Sequence, residues 1–392
     1  MFLSRLSLRD FRNLGAQELV IPREGVAILG DNAQGKSNLL EAIYYLETLR
    51  SFRGAGDAQL VAFGSSVFRV EGEISGGPTG ARRGDGGPGD VKQGEVAEST
   101  AGRRASTPIA AAFDRVSKEK RVFVGGDAQA TLAAGLGHVG AVIFSPDDIR
   151  MVNGPPVERR RFLDILLSLN HEGYMFALQR YRRALAQRNA ALRSGTGAVG
   201  VEGWNRALAA QGSVLVRARA DWVHANAARF IEQYEAISGS EAATIVYRPS
   251  FGAGDGDTTA DDLLTAIREA ESRDLRLRTT TVGPHRDELS IVIVEEDLEV
   301  RQFGSGGQRR TAALALRLVE ADTIARARSI EPIILMDDAF AELDQTRSER
   351  LLGRIEAGHV GQVILTAPKE ADVRVRRDVL PRWRIEAGRV AA

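Results

Sequence analysis

The first residues with legible chemistry are GDNAQGKSN: Gly30, Asp31, Asn32, Ala33, Gln34, Gly35, Lys36, Ser37 and Asn38, directly after the apolar run VAIL. The spacing G-x-x-x-x-G-K-S is that of a phosphate-binding loop. Glycine permits backbone conformations in which successive N–H groups point inward at phosphate oxygens. Lys36 would add a point charge at the β- and γ-phosphates and contribute to catalysis. Ser37 would be a Mg²⁺ ligand, and the helix N-terminus favours the anion. The expected cofactors are therefore ATP and Mg²⁺.

A second group is EPIILMDDAFAELD, residues 331–344. Ile333, Ile334, Leu335 and Met336 read as a central parallel strand. The strand ends in Asp337 and Asp338, at the carboxyl end where open α/β sheets bind ligands. Asp337 is the expected second magnesium ligand. Asp338 is the catalytic candidate that orients or deprotonates an attacking water.

A third group, FGSGGQRRTAALALRLVEAD, sets Ser305, Gly306, Gly307 and Gln308 before a long helix. Such a segment can be a plain helix cap. It is also a second anion-binding geometry. With one nucleotide's phosphates already held by the first loop, the economical use of the second is the γ-phosphate bound to another copy of the chain. The order of the three groups favours that use.

These residues need particular elements to hold them. The first forty residues predict strand, turn, strand, loop and helix. The helix runs through LLEAIYYLETL with Leu39, Leu40, Ile43 and Leu46 on one face. Residues 75–107 change character to Gly, Ser and charge, with too little apolar surface to offset ordering entropy. They predict a mobile insertion between two strands of one sheet. After GAVIFSPDDI, helical spacing dominates: Phe162, Ile165, Leu166 and Leu169 share one face, and Leu178, Tyr181, Leu185 and Leu192 another. Strand patterning returns at TVGPHRDELSIVIV. The expected organisation is a first half-head at 1–145, an inserted helical domain at 146–282 and a second half-head at 283–392.

Composition limits the alternatives. Lys plus Arg and Asp plus Glu both total 52, so nucleic acid would have to be held by a local basic surface. The absence of cysteine removes disulfides, thiolate zinc sites and cysteine nucleophiles. No run of apolar residues is long enough to span a membrane, and the N-terminus has no signal-peptide core, so a cytoplasmic protein without membrane association is expected.

Phosphate loop, SGGQ and acidic strand, in that order, resemble the ABC-type ATPases. The wide separation of Ser37 from Ser305, with helices between, resembles the DNA-repair branch that includes SMC proteins and the RecF family. LSLRDFRN, GDNAQGKSNLLEAIYYLETLRSFR, FSPDDIRMVNGPPVERRRFLD, QRNAAL, TVGPHRDEL, SGGQRRTAALALRL and ILMDDAFAELD resemble the RecF family over nearly the whole chain. Two departures are the SGGQ itself, closer to the general ABC form, and the long Gly/Arg-rich stretch.

The resemblance implies an α/β fold, an ABC-type ATPase head (P-loop NTPase) with an inserted helical lid domain. It places Arg12 and Asn13 near the nucleotide, Thr366 where transporters often carry a switch histidine, and Glu342, Leu343 and Asp344 at a dimer interface. It also implies an ATP-dependent homodimer that clamps double-stranded or gapped DNA and aids RecA loading with RecO and RecR. It implies support of replication forks and the SOS response as well. Weak, DNA-stimulated ATP hydrolysis would release the DNA, slowly because Asp338 stands where many relatives carry Glu.

Arg159, Arg160, Arg161, Arg180, Arg182, Arg183, Arg188 and Arg193, with Arg309 and Arg310, are either phosphate contacts or locally paired side chains. His285 is either a ligand contact or structural. The alternative function is the ATPase subunit of an ABC transporter, against which the long insertion argues. A toprim-type nuclease fused to such a head would need an acidic domain for which there is no room.

Overall fold

The structure, a computed structural model, describes residues 1–76, 106–195, 197–252, 258–340, 343–357, 361–375 and 379–391, with the backbone alone at 197–199. The chain opens with β1 (Phe2–Arg9), β2 (Gln17–Val20) and β3 (Gly25–Leu29), then α1 (Lys36–Thr48). Strands β4 (Val67–Ser75), β5 (Thr107–Asp114), β6 (Glu119–Val124), β7 (Asp127–Ala128) and β8 (Ala141–Phe144) follow. Next come α2 (Arg150–Asn153), α3 (Pro156–Asn170), α4 (Tyr174–Ser194) and α5 (Gly197–Ser238). After these lie β9 (Ala243–Arg248), α6 (Ala260–Glu269), α7 (Glu271–Leu277), β10 (Glu288–Ile293) and β11 (Leu298–Glu299). The last elements are α8 (Val300–Phe303), α9 (Gly306–Arg328), β12 (Ile333–Asp337), α10 (Gln345–Ala357), β13 (Val363–Ala367), β14 (Arg382–Glu386) and β15 (Arg389–Ala391).

Contacts divide the chain into two compact units, Met1–Ser145 with Ile324–Ala341 and Ile355–Ala392, and Pro146–Thr323 with Glu342–Arg354. Among the described residues the first unit holds two six-stranded sheets. One runs β15-β14-β3-β13-β12-β8, parallel except for the terminal hairpin strand β15. Its strands GVAIL, VILTA and IILMD, and the edge strand AVIF, are buried at every position. That is why they read as unbroken apolar runs and not as alternation: both faces are covered. The other sheet, β2-β1-β4-β5-β6-β7, is antiparallel, and β4 alternates between buried and partly exposed positions along most of its length.

Helix α1 contacts β4 and β5 of one sheet and β8, β12 and β13 of the other. The predicted face of Leu39, Leu40, Ile43 and Leu46 is buried, and so is most of the rest of the helix. Tyr45 and Phe68 pack edge-on at 5.3 Å, with Phe11 edge-on to Phe68 at 5.1 Å. Strands β4 and β5 pair from Val67↔Asp114 to Ile74↔Thr107, so the intervening segment does join neighbouring strands of one sheet. The mobility expected of residues 75–107 concerns 77–105, which lie outside the described residues.

The second unit has the helical core that the spacing predicts: Phe162, Leu166, Leu178, Tyr181 and Leu192 are buried. It contains a strand that helical patterning hides. Residues 243–248 form β9, which pairs antiparallel with β10. Leu289 and Ile291 of β10 consequently join the core of Phe162 and Leu208, and the unit runs on through Thr323 rather than ending near residue 282. The strand signal at 288–293 was legible, but its partner was not. No described helix is long and apolar enough to cross a membrane.

Candidate nucleotide site

Strand β3 delivers the chain at Gly30 and α1 takes it up at Lys36, so residues 30–35 form a loop between a buried strand and a helix N-terminus. Gly35 has φ +114, and a Cβ there would lie 2.9 Å from Asn13 Oδ1, so no other residue fits without displacing that contact. Lys36 is buried, and its Nζ donates to the carbonyls of Gly30 at 2.6 Å and Asp31 at 3.1 Å. The ammonium is thus fixed inside the loop. The side chains of Asp31, Asn32 and Ala33 are exposed along its rim.

The acidic pair reaches the loop because β12 and β13 are parallel neighbours with Asp337 opposite Thr366. Asp337 Oδ1 accepts hydrogen bonds from Ser37 Oγ at 2.8 Å and Thr366 Oγ1 at 2.9 Å. Burial raises its pKa and the neighbouring Asp338 adds to this, while the two hydroxyls oppose it. A hydroxyl and a carboxylate side by side are the hard oxygen donors that magnesium takes when a nucleotide supplies the rest. Among the described residues no group of three or more His, Asp or Glu side chains could hold a metal on its own.

Asp338 stands just beyond the strand with φ +45, its N–H donating to Thr366 Oγ1 at 3.1 Å. Its Oδ1 is buried without a hydrogen-bond partner. Burial raises its pKa, the Lys36 ammonium lowers it, and Asp372 raises it again. A carboxylate with an unused buried acceptor, beside the loop lysine, has the chemistry to take a hydrogen bond or proton from water.

Asn13 touches the loop directly: Nδ2 donates to Gln34 O at 3.3 Å, and Oδ1 accepts from Asn38 Nδ2 at 2.8 Å. Arg12 turns away, its guanidinium gripping Glu41 of α1 through Nε at 2.8 Å and a terminal nitrogen at 3.0 Å. Two contributors are not visible in the sequence patterns. The β14–β15 turn binds Gln34 through Ala387 N at 2.7 Å and Gly388 N at 2.9 Å. Arg53 donates to Asn38 Oδ1 at 2.9 Å and lowers the pKa of Asp337, which puts a second cation by the loop. Its sequence signals are a position just past α1 and the end of the segment GDNAQGKSNLLEAIYYLETLRSFR, neither of which says that it returns to the loop.

Ser305, Gly306, Gly307 and Gln308 belong to the second unit. Ser305 Oγ accepts from Gln308 N at 3.2 Å while Gln308 Oε1 accepts from Ser305 N at 2.7 Å, a reciprocal cap on α9. The segment is therefore a helix cap, with Ser305 and Gly306 exposed at the helix's positive end. Arg347, paired with Asp344 at 2.7 Å, lies against Gly307. Leu343 and Asp344 are described; Glu342 lies outside the described residues.

The arginines singled out in the sequence separate by burial. Arg159 is buried on Glu288 at 2.6 Å, and Arg188 is buried on Asp274 at 2.6 Å with Asn205 and Thr280. These two hold the core together. Arg160 donates to Asp287 O at 2.8 Å, and Arg182 pairs with Asp164 at 2.9 Å. Arg180, Arg183 and Arg193 are exposed, whereas Arg161, Arg309 and Arg310 are partly buried. His285 is structural: Tyr181 Oη meets Nδ1 at 2.6 Å, Nε2 meets Thr280 O at 3.0 Å, and burial lowers its pKa to about 4.

No protein-family model matches the chain. It is 33% identical over 99% of its length to "DNA replication and repair protein RecF" of Natranaerobius thermophilus, covering 97% of that protein. It is 34% identical over 91% to the protein of the same name in Gloeobacter violaceus, of which it covers 89%. Among solved structures, "the recombination mediator protein RecF-ATP in RecFOR pathway" superposes with TM-score 0.84 at 29% identity, covering 100% of this chain and 97% of that one. The Smc head domain bound to the C-terminal domain of ScpA, from Pyrococcus furiosus, has TM-score 0.53 and 16% identity over 99% of this chain and 95% of its own. The fold is that of an ABC-type ATPase head with an inserted helical region.

Proposed function

On the premise that the chain belongs to the RecF family of DNA replication and repair proteins, we propose that it is an ATP-gated DNA clamp. The observation that carries this reading is the cluster at the carboxyl end of the parallel sheet. Lys36 lies inside the loop, Ser37 and Asp337 sit side by side, and Asp338 keeps a buried, unpartnered oxygen. Lys36 and the loop N–H groups bind the triphosphate of ATP. Ser37 and Asp337 hold Mg²⁺, which neutralises phosphate charge when bound. Asp338 orients or deprotonates the attacking water, and its short side chain makes turnover slow. Asn13 flanks the nucleotide, with Arg12 held behind it on Glu41.

The Ser305–Gly306–Gly307–Gln308 cap of a second copy meets the γ-phosphate, so ATP joins two copies and the closed dimer grips duplex DNA near single-strand gaps. Hydrolysis, weakly stimulated by DNA, releases it. A relative's structure is described as belonging to the RecFOR pathway. On that ground the partners are RecO and RecR; the family resemblance adds RecA loading, support of replication forks and the SOS response, and a cytoplasmic setting.

The test is size-exclusion mass with ATP and magnesium, with ADP, and with ATP plus duplex DNA. A dimer is expected with ATP alone and with DNA, and a monomer with ADP or in Lys36→Arg. A wild-type monomer at saturating ATP and magnesium would sink the clamp.

A further inference from the structure

Glu41 is fully buried on α1, in the second turn after the phosphate loop. A carboxylate there needs partners to offset its desolvation, whereas an apolar side chain of similar size would cost nothing of the kind. Packing therefore does not account for it. In sequence its partners lie on both sides of the loop, Arg12 before it and Ser51 after it. Oε2 and Oε1 hold the Arg12 guanidinium, next to Asn13, which touches the loop at Gln34 and Asn38. Oε1 also accepts from the Ser51 hydroxyl. That hydroxyl in turn accepts from the backbone N–H of Arg53 at 3.1 Å and of Ala55 at 3.2 Å, which fixes the turn carrying Arg53. Arg53 then reaches Asn38 Oδ1 at 2.9 Å, with its guanidinium 4.0 Å from Glu41 Oε2. These contacts run from Glu41 through Ser51, Arg53 and Asn38 to Asn13, and the peptide bond from Asn13 to Arg12 with the Arg12–Glu41 pair closes the ring.

We propose that Glu41 is a positioning residue of the nucleotide site, setting where Arg53 stands at the outer end of the phosphate loop through the Ser51 turn. Its carboxylate balances two guanidiniums, Arg12 and Arg53, so that Arg53 is held in one place without being neutralised in a close pair. Arg53 then offers a fixed positive group to a bound polyphosphate, in addition to the buried Lys36. This inference rests on the reading of residues 30–38 as an ATP site.

The experiment is a double-mutant cycle on the full chain, read as equilibrium ATP affinity and as the split between KM and kcat. Glu41→Gln is expected to weaken ATP binding about tenfold and raise KM with little change in kcat. In an Arg53→Ala background the same change is expected to cost less than about twofold. Ser51→Ala leaves the Glu41–Arg12 pair in place. It is expected to show the same loss of effect in the Arg53→Ala background, which keeps the test open should Glu41→Gln not fold. Equal losses in both backgrounds would mean that Glu41 only supports the fold, and unchanged affinity in both single variants would also overturn the proposal. Wild-type protein that fails to bind ATP would instead remove the site reading itself, and this inference with it.

Discussion

At the scale of single residues, sequence spacing is a guide to who meets whom only when backbone geometry is rigid. Lys36 and Ser37 follow the loop by construction, and Asp337 meets Ser37 because parallel strands fix the end of β12 beside the loop. His285 is different. Its neighbours in GPHRD suggest chemistry, yet its ring is buried between Tyr181 and Thr280 and stays neutral with a pKa of about 4. Because the folded value lies below the ordinary 6.5, the unfolded chain takes up the proton first. Stability is then intact above pH 6.5 and is lost as pH falls from there towards 4, by up to about 3 kcal/mol at ~1.4 kcal/mol per pH unit. His285→Gln is expected to flatten this slope in urea titrations between pH 4.5 and 7. Parallel wild-type and variant curves would contradict the assignment.

At the scale of elements, the phosphate loop is supported from the far end of the chain. The β14–β15 hairpin turn binds Gln34, and its Gly388, at φ +79, approaches the Asn13 backbone so closely that a Cβ would lie 2.0 Å from the Asn13 carbonyl oxygen. Gly388→Val is therefore expected to destabilise the protein by about 1–3 kcal/mol and to weaken ATP binding, because the hairpin must move off the loop. Urea denaturation together with nucleotide titration checks both, and wild-type values in both would refute the coupling. Local signals were strong for α1, β3, β12 and β13, where apolar runs or 3.6-residue spacing coincide with burial. They were weak for β9. ATIVYR is a short run inside helical surroundings, and only its pairing with β10 makes it a strand.

At the scale of the whole molecule, zero net charge leaves any hold on DNA to local surfaces. The arginines buried on Glu288 and Asp274 are committed to the core, so the exposed Arg180, Arg183 and Arg193 are better placed for phosphates. If they make phosphate contacts in the clamp, Arg180→Ala with Arg183→Ala is expected to reduce the slope of log affinity against log salt by about 2. Fluorescence anisotropy with a gapped duplex at several salt concentrations measures this. An unchanged slope would move the DNA surface elsewhere.

By itself the sequence determined the phosphate loop, the acidic strand, the capped SGGQ helix and the order that links them, because each depends on contiguous residues whose backbone geometry is local. Tertiary structure decided the rest. It turned Arg12 onto Glu41, brought Thr366 and Arg53 to the nucleotide loop and set Gly388 behind it. It also divided one run of arginines into core pairs and exposed side chains. Those outcomes depend on strand order and on which charges are cheaper to bury in pairs than to leave alone, and both are set by contacts between segments distant in the chain.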